Sequence, residues 1–475
     1  MRGHVALVCV AWVVLLTCSC GRVDFEDLPG PDGAIVDTGA DVASGDVGPG
    51  DVGPGDGGGD TGVRIVDAAS DARDAGRTVQ ITVSRTGAGV GAVVADSGAP
   101  GLSCGAVCVV DVPVGTTVTV TSTASAGSWF EGWGTGPCSG RARCSFAATS
   151  DATIEARFTR VPNRIFVSST THDGSFGGLA GADADCGVLA SAAGLSGSWI
   201  ALLSTSAITS FSRLSGSRGF IRMDDAPVAD QSLSFALWYP VRLDEYGVDV
   251  GAADIWGLNR GAPTDLCADF TTNSAMVTGH IQNADRGWSF QSGGGGVTCD
   301  QSFRFVCAEV GKTVAISPSP TVGRGAFVTV GTWLPDGGLA SADVLCAAEA
   351  TAAGRSGTYG AFLATDGAAG IDRFSGGLPW VRSDGMPLLP TRADWLTAAD
   401  LDVSPVYDAT GAAHLSRLVL SGAATLGSPG TLASTCQDWT TTVGMTSACI
   451  RTWSTQAGCV SGTSCSATRL LCLEE

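Results

Sequence analysis

Two stretches of this chain repeat each other at a constant spacing, which fixes the plan of the C-terminal two-thirds. Ala182-Asp183-x-x-Cys186 returns as Ala342-Asp343-x-x-Cys346, and Ala192-Ala193-Gly194-x-Ser196-Gly197-Ser198-Trp199 returns as Ala352-Ala353-Gly354-x-Ser356-Gly357-Thr358-Tyr359. Arg213-x-Ser215-Gly216 matches Arg373-x-Ser375-Gly376, and Arg222-x-Asp224-x-x-Pro227 matches Arg382-x-Asp384-x-x-Pro387, all at an offset of 160 residues. Between Cys267 and Cys436 the offset has grown to 169, so the loops differ mainly in the second halves. Two units of roughly 150 residues are two similar domains and not a solenoid.

The cysteines divide along the same lines. Of 17, Cys9, Cys18 and Cys20 lie at the N-terminus, and the rest fall into even groups. These are Cys104, Cys108, Cys138 and Cys144; then Cys186, Cys267, Cys299 and Cys307; then Cys346, Cys436, Cys449, Cys459, Cys465 and Cys472. Even local groups are expected when thiols pair within separate domains in an oxidising compartment. The N-terminus agrees. Arg2, an apolar run from Val5 to Thr17 and Ser19 before Cys20 make a secretory signal over 1–19 with a lipoprotein cleavage site. Cys20 is the residue expected to carry lipid and tether the chain to the membrane. Gly21 after it, in place of Asp, suits outer-membrane sorting in a Gram-negative cell.

The formal charge of −19 argues against nucleic acid as a partner, since phosphate neutralisation needs a dense basic surface. About half of that charge lies in residues 21–76, where 13 carboxylates face three arginines. Gly, Pro, Asp and Ala dominate there, so 20–77 reads as a disordered acidic stalk, roughly 40 Å end to end as a random coil. The spacing of Asp37, Asp41, Asp46, Asp51 and Asp56 is too wide for one calcium loop.

Strand-period alternation begins at Thr78-Val79-Gln80-Ile81-Thr82-Val83 and recurs at Thr117–Thr121 and Ala152–Phe158. Cys104-x-x-x-Cys108, Gly115-Thr116-Thr117-Val118, Phe130-Glu131-Gly132-Trp133 and Cys138…Cys144 make residues 78–160 resemble the bacterial repeat of the divergent internalin B-repeat type. Such repeats are surface spacers or adhesion modules. With no histidine beside these cysteines, two local disulfides, Cys104–Cys108 and Cys138–Cys144, are expected over a zinc site.

Each duplicated copy reads as a strand (Arg164–Ser168; Ala326–Val330), a glycine-rich turn, and a helix from about Leu179 or Leu339 to its glycine stop. Asp183 and Asp343 are expected in the first helical turn. Short strands and long loops follow, closed by Phe303–Cys307 or Leu470–Leu473. Gly178-Leu179-Ala180-Gly181-Ala182-Asp183-x-x-Cys186 and Cys299-x7-Cys307 resemble the DUF1554 family of bacterial surface proteins. They also resemble the endostatin domain of certain collagens, which has a C-type-lectin-like fold. Copy two is the more similar, through Gly357-Thr358-Tyr359-Gly360-Ala361-Phe362-Leu363 and Cys436-Gln437-Asp438-Trp439. The resemblance covers 161–311 and 325–475, with 312–324 as linker. It implies Cys186–Cys307 with Cys267–Cys299 and Cys346–Cys472 with Cys436–Cys465, leaving Cys449–Cys459 as an extra bridge. The expected fold class is multidomain: a small all-β repeat domain followed by two α+β, endostatin-like domains.

Function does not follow as directly. His172, His280 and His414 are scattered, so no metal or other cofactor is expected, and neither calcium-dependent sugar motif of C-type lectins is present. Arg355, Arg373, Arg382 and Arg392 form no basic run of the kind heparin needs. Arg213 and Arg373, with Asp224 and Asp384, read as scaffold ion pairs. No nucleophile elbow appears, and the even cysteine count leaves no free thiol. Asp269 and Asp438 sit at matching positions, as polar ligand contacts or as hydrogen bonds beside a disulfide. Trp256, Trp395 and Trp453 lie in or near loops with Trp238, Tyr239 and Trp288, where rings stack on sugars or fill cores. The expectation is a non-enzymatic, lipid-anchored surface protein, adhering to polysaccharide or another surface protein. The alternatives are a structural envelope component and, more remotely, an enzyme acting on surface polymers.

Overall fold

The computed structural model describes residues 76–475, apart from 232–236, 258–265, 285–295, 415–417, 449, 453 and 456–459. Alternation at period two builds the first part. Strands β1 (Thr78–Thr86), β4 (Val109–Pro113), β6 (Ser128–Trp133) and β8 (Ala152–Arg160) form a sheet in the order β4-β1-β8-β6. A second sheet runs β3-β2-β5-β7, from β2 (Gly91–Ser97), β3 (Ser103–Cys104), β5 (Thr116–Ala124) and β7 (Cys144–Ala148). Inward-facing Ile81, Val93, Val118, Val120, Ile154 and Phe158 close one core between the sheets. Within the described residues of this sandwich, β1 and β8 are the parallel pair. Cys104–Cys108 and Cys138–Cys144 are at disulfide distance, as the local pairing required.

The first copy comprises β9 (Asn163–Val167), helix α1 (Gly178–Ala192), β10 (Ser198–Ala201), β11 (Phe220–Ile221), β12 (Pro227–Ala229), β13 (Asp254–Trp256), β14 (Thr278–Asn283), β15 (Gly296–Thr298) and β16 (Val306–Val310). In the second, β17 (Arg324–Val328), helix α2 (Gly338–Ala352), β18 (Tyr359–Ala361) and β19 (Trp380–Val381) precede a short helix α3 (Arg392–Thr397). Strands β20 (Leu418–Val419), β21 (Met445–Ala448), β22 (Ile450–Arg451), β23 (Val460–Ser464) and β24 (Leu471–Glu474) follow. The main sheets run β10-β16-β9-β11-β12 and β18-β24-β17-β19. In both copies the last strand therefore lies between the first strand and the strand after the helix. The chain is mostly β with few helices, arranged as several separate sheets.

The helices repeat one packing device. Ala182, Cys186 and Ala190 are the buried face of α1, and Ala342, Cys346 and Ala350 that of α2. Small residues at i, i+4 and i+8 bring each helix close to its sheet, where the central cysteine reaches the last strand through Cys186–Cys307 or Cys346–Cys472. Each helix stops where expected: Gly194 (φ +73°) and Gly354 (φ +69°) take the left-handed position, and Leu195 and Arg355 N–H donate back to Ala190 and Ala350 O. Among the described residues no helix is long and apolar enough to cross a membrane.

Residues 312–324, expected to be a simple linker, are stitched to everything around them. Ile316 N–H donates to Asp230 of the first copy (3.0 Å), Ser317 N–H to Glu131 of the sandwich (3.0 Å), and Val322 N–H to Ser139 Oγ (2.9 Å). Thr321 N–H donates to Gly385 O of the second copy (2.9 Å). Two glycines make room. A Cβ on Gly132 would lie 2.8 Å from Ser319 Cβ, and one on Gly385 (φ +80°) would lie 2.3 Å from Pro320 Cβ. Trp129 of the sandwich is 1% exposed, packs with Ile221, Ile316 and Trp238, and donates its indole N–H to Asp225 O (3.0 Å). Trp129→Ala should therefore destabilise the chain by about 3–5 kcal/mol and expose the junction to protease before either copy unfolds. Limited proteolysis with mass mapping checks this; a cleavage pattern like that of the wild type would rule out Trp129 as the anchor.

Candidate functional site

The two aspartates singled out from sequence sit on an unusual piece of backbone. Cys267, Ala268, Asp269 and Phe270 have φ of +48°, +50°, +59° and +62°, and Cys436, Gln437, Asp438 and Trp439 have +51°, +54°, +52° and +65°. Each copy thus contains one turn of left-handed helix, closed by Phe270 N–H to Leu266 O (2.9 Å) and Trp439 N–H to Thr435 O (2.7 Å). For L-residues this conformation costs roughly 1–2 kcal/mol per position. Three things hold it. The leading cysteine is tied by Cys267–Cys299 or Cys436–Cys465, and the trailing ring, Phe270 or Trp439, is buried. The aspartate clamps the neighbouring loop. Asp269 accepts from Ser206 N–H and Oγ–H, both at 2.7 Å, while Asp438 accepts from Asp366 N–H (2.8 Å) and Thr435 Oγ–H (3.2 Å).

These carboxylates therefore position a loop, Asp269 through both of its oxygens and Asp438 through Oδ1. Trp256 and Trp395 are fully buried, among Phe270 and Phe303 and between Phe362 and Trp380 respectively, so neither offers a ring face to solvent. Trp238 and Tyr239 are half-buried against the core of the second copy. Cys20, Trp288, Trp453 and the pair Cys449–Cys459 lie outside the described residues. The expected ion pairs are re-partnered: Arg213 and Arg373 bind Asp183 (2.5 Å) and Asp343 (2.6 Å), while Asp224 and Asp384 pair with Arg222 (2.5 Å) and Arg382 (2.6 Å). Asp183 and Asp343 stand beyond the first helical turn and also accept Ala201 and Ala361 N–H. Side-chain and backbone acceptance, and no helix dipole, accounts for them.

Relaxing the turn is a direct test of its strain. Gln437→Gly removes the Cβ penalty at φ +54° and should stabilise the second copy by about 0.5–1 kcal/mol, against a larger unfolded-state entropy. Urea denaturation of wild type and variant measures it, and a less stable variant would refute the strain assignment.

A second constellation was not found from sequence. A cavity of about 290 Å³ opens where the sandwich, the connector and both copies meet. Arg141 enters from the sandwich, Arg222, Asp224 and Tyr239 from the first copy, Ser319 from the connector and Asp402 from the second copy. Pro227 and Pro387, equivalent residues of the two copies, both line it. Arg222 is spent on Asp224 and on Pro240 O (3.3 Å). Arg141 donates Nε–H to Phe130 O (3.0 Å) and lies over the Trp129 ring at 4.7 Å. Its terminal nitrogens, the Asp402 carboxylate, the Tyr239 hydroxyl and the buried Ser319 hydroxyl have no hydrogen-bond partner among the described residues. The signal that could have located this site was the duplicated Arg-x-Asp-x-x-Pro motif together with Arg141 inside the Cys138–Cys144 loop.

Burial is the main influence here. It pushes the Tyr239 hydroxyl up to about 12, with Asp402 adding and Arg222, Arg382 and Arg141 opposing. It also raises Asp402 above the usual carboxylate range, against Arg222 and Arg242, with Asp394 and Asp224 adding to the rise. A carboxyl that holds its proton more tightly when folded loses stability as pH rises from the ordinary carboxylate range through its folded value. Asp402→Asn should match the wild type near pH 4 and exceed it increasingly toward pH 7. Paired urea midpoints across that range check this, and a gap independent of pH would contradict it.

Comparison with protein-family models and with the curated proteins finds no match to this chain.

Proposed function

We propose that this is a non-enzymatic surface protein, lipid-anchored through Cys20, that binds polysaccharide or another surface protein through paired C-type-lectin-like copies. Support for the fold comes from the two main sheets, where the closing strand pairs with the first strand and is disulfide-linked to the single long helix. The observation that carries the function is the way the copies are joined. Arg382, 2% exposed, crosses to Leu237 O (3.1 Å) and Trp238 O (3.4 Å) of the first copy. Arg242 of the first copy crosses to Leu401 O (3.4 Å) and Thr455 Oγ (3.2 Å) of the second. Hydrogen bonds from a charged group of this kind contribute about 1.5–3 kcal/mol each. Two copies locked together, preceded in the chain by the sandwich and an acidic segment, suit presentation of one composite binding head away from a membrane.

The oxidised full chain should bind a subset of a glycan and extracellular-polysaccharide array, equally with calcium and with EDTA. Binding lost in EDTA would contradict the calcium-independent mode expected from the missing lectin motifs. A blank array with folded protein would shift the assignment to a protein partner or to a structural envelope role.

A further inference from the structure

We propose that the junction cavity is a binding site for one neutral, polyhydroxylated ring, a single sugar unit, held by Arg141, Tyr239, Ser319 and Asp402. Its charges are already balanced. Asp402 has Arg222 and Arg242 in range, and Arg141 has Asp225 and Asp224. An anion would meet two carboxylates and a cation two guanidinium groups, so neither gains by entering. What the cavity lacks is hydrogen bonds. The terminal guanidinium nitrogens of Arg141 donate, the Asp402 carboxylate accepts, and the Ser319 and Tyr239 hydroxyls do both, yet none has a partner among the described residues. Ser319 is buried and the other three are half-buried, and polar groups so placed without a protein partner are satisfied by water or by a ligand.

A ring of vicinal hydroxyls supplies both donors and acceptors without net charge. Its C–H faces suit the apolar part of the wall, formed by Pro227, Pro318 and Pro387. At about 290 Å³ the space lies at the small end of ligand cavities, enough for one ring and not for a chain. The four groups come from four different parts of the protein, so an occupant would also bridge the sandwich, the first copy, the connector and the second copy. The site deepens the surface-binding function proposed above, because it names a ligand class and a position.

The test uses the full oxidised chain with glucose, galactose, mannose and N-acetylglucosamine as probes, and sodium acetate and methylammonium as charged controls, read by saturation-transfer NMR and calorimetry. At least one sugar should bind and the two ions should not. Arg141→Met and Asp402→Asn should each weaken that sugar about tenfold or more. Asp402→Asn keeps the shape of the side chain and relieves a buried charge, so its loss of binding is not a loss of folding; circular dichroism and the urea midpoint verify this. No sugar bound by the wild type, preference for a charged control, or full affinity in Asp402→Asn would each overturn the proposal. Polymer binding on the array that survives Asp402→Asn would leave the surface-binding function standing and this site refuted. Sugar binding at the cavity with a blank polymer array would do the reverse.

Discussion

The arrangement of the described residues depends on thirteen amino acids, 312–324, several of whose backbone N–H groups donate to other parts of the protein. A connector normally leaves its N–H groups to water. Here Ile316, Ser317, Thr321 and Val322 each donate to a group outside the connector, drawn from the sandwich and both copies. Each bond alone contributes about 0.5–1.5 kcal/mol. Their effect comes from sharing one short segment, so that displacing any one part strips acceptors from the other two. Ile316 adds the apolar half of the joint by completing the pocket around Trp129.

Much of the fold was legible from residue types alone. The Ala-Ala-Gly stops, the strand alternation and the duplicated order of motifs locate the elements within a few residues, because each rests on local chemistry. The six cysteine pairs among the described residues follow the pairing that locality and resemblance implied. The connector was not legible. Ser317-Pro318-Ser319-Pro320 has the composition of a flexible linker, and its partners lie up to 186 residues away in sequence. The left-handed turns were hidden for a different reason. Neither Cys-Ala-Asp-Phe nor Cys-Gln-Asp-Trp contains the glycine or asparagine that this conformation prefers. Tertiary restraint at both ends, a disulfide and a buried ring, overrides local preference.

The aromatic residues illustrate the same limit. Trp256 and Trp395 stand in loop-rich sequence, where an indole reads equally as a ligand platform or as core. Trp256 donates its N–H to His172 O (2.8 Å), which makes it a structural strut. Trp395 is packed beside Trp380 with no partner for its N–H among the described residues. Burial of such rings depends on which loops close over them, and no window of sequence carries that information.

The duplicated Arg-x-Asp-x-x-Pro motif takes part in both junctions of the two similar copies. In each copy the arginine pairs with its own aspartate and holds a loop carbonyl, Pro240 O for Arg222 and Ser404 O for Arg382. In each copy, too, the same turn meets whatever precedes it in the chain. Asp225 O, within the motif in copy one, accepts from the Trp129 indole N–H of the sandwich. Arg382, within the motif of copy two, reaches the carbonyls of Leu237 and Trp238 in copy one. The same turn thus docks twice, on two unrelated neighbours. On the side of the first copy the neighbour is the sandwich, which offers Trp129 and Arg141 there.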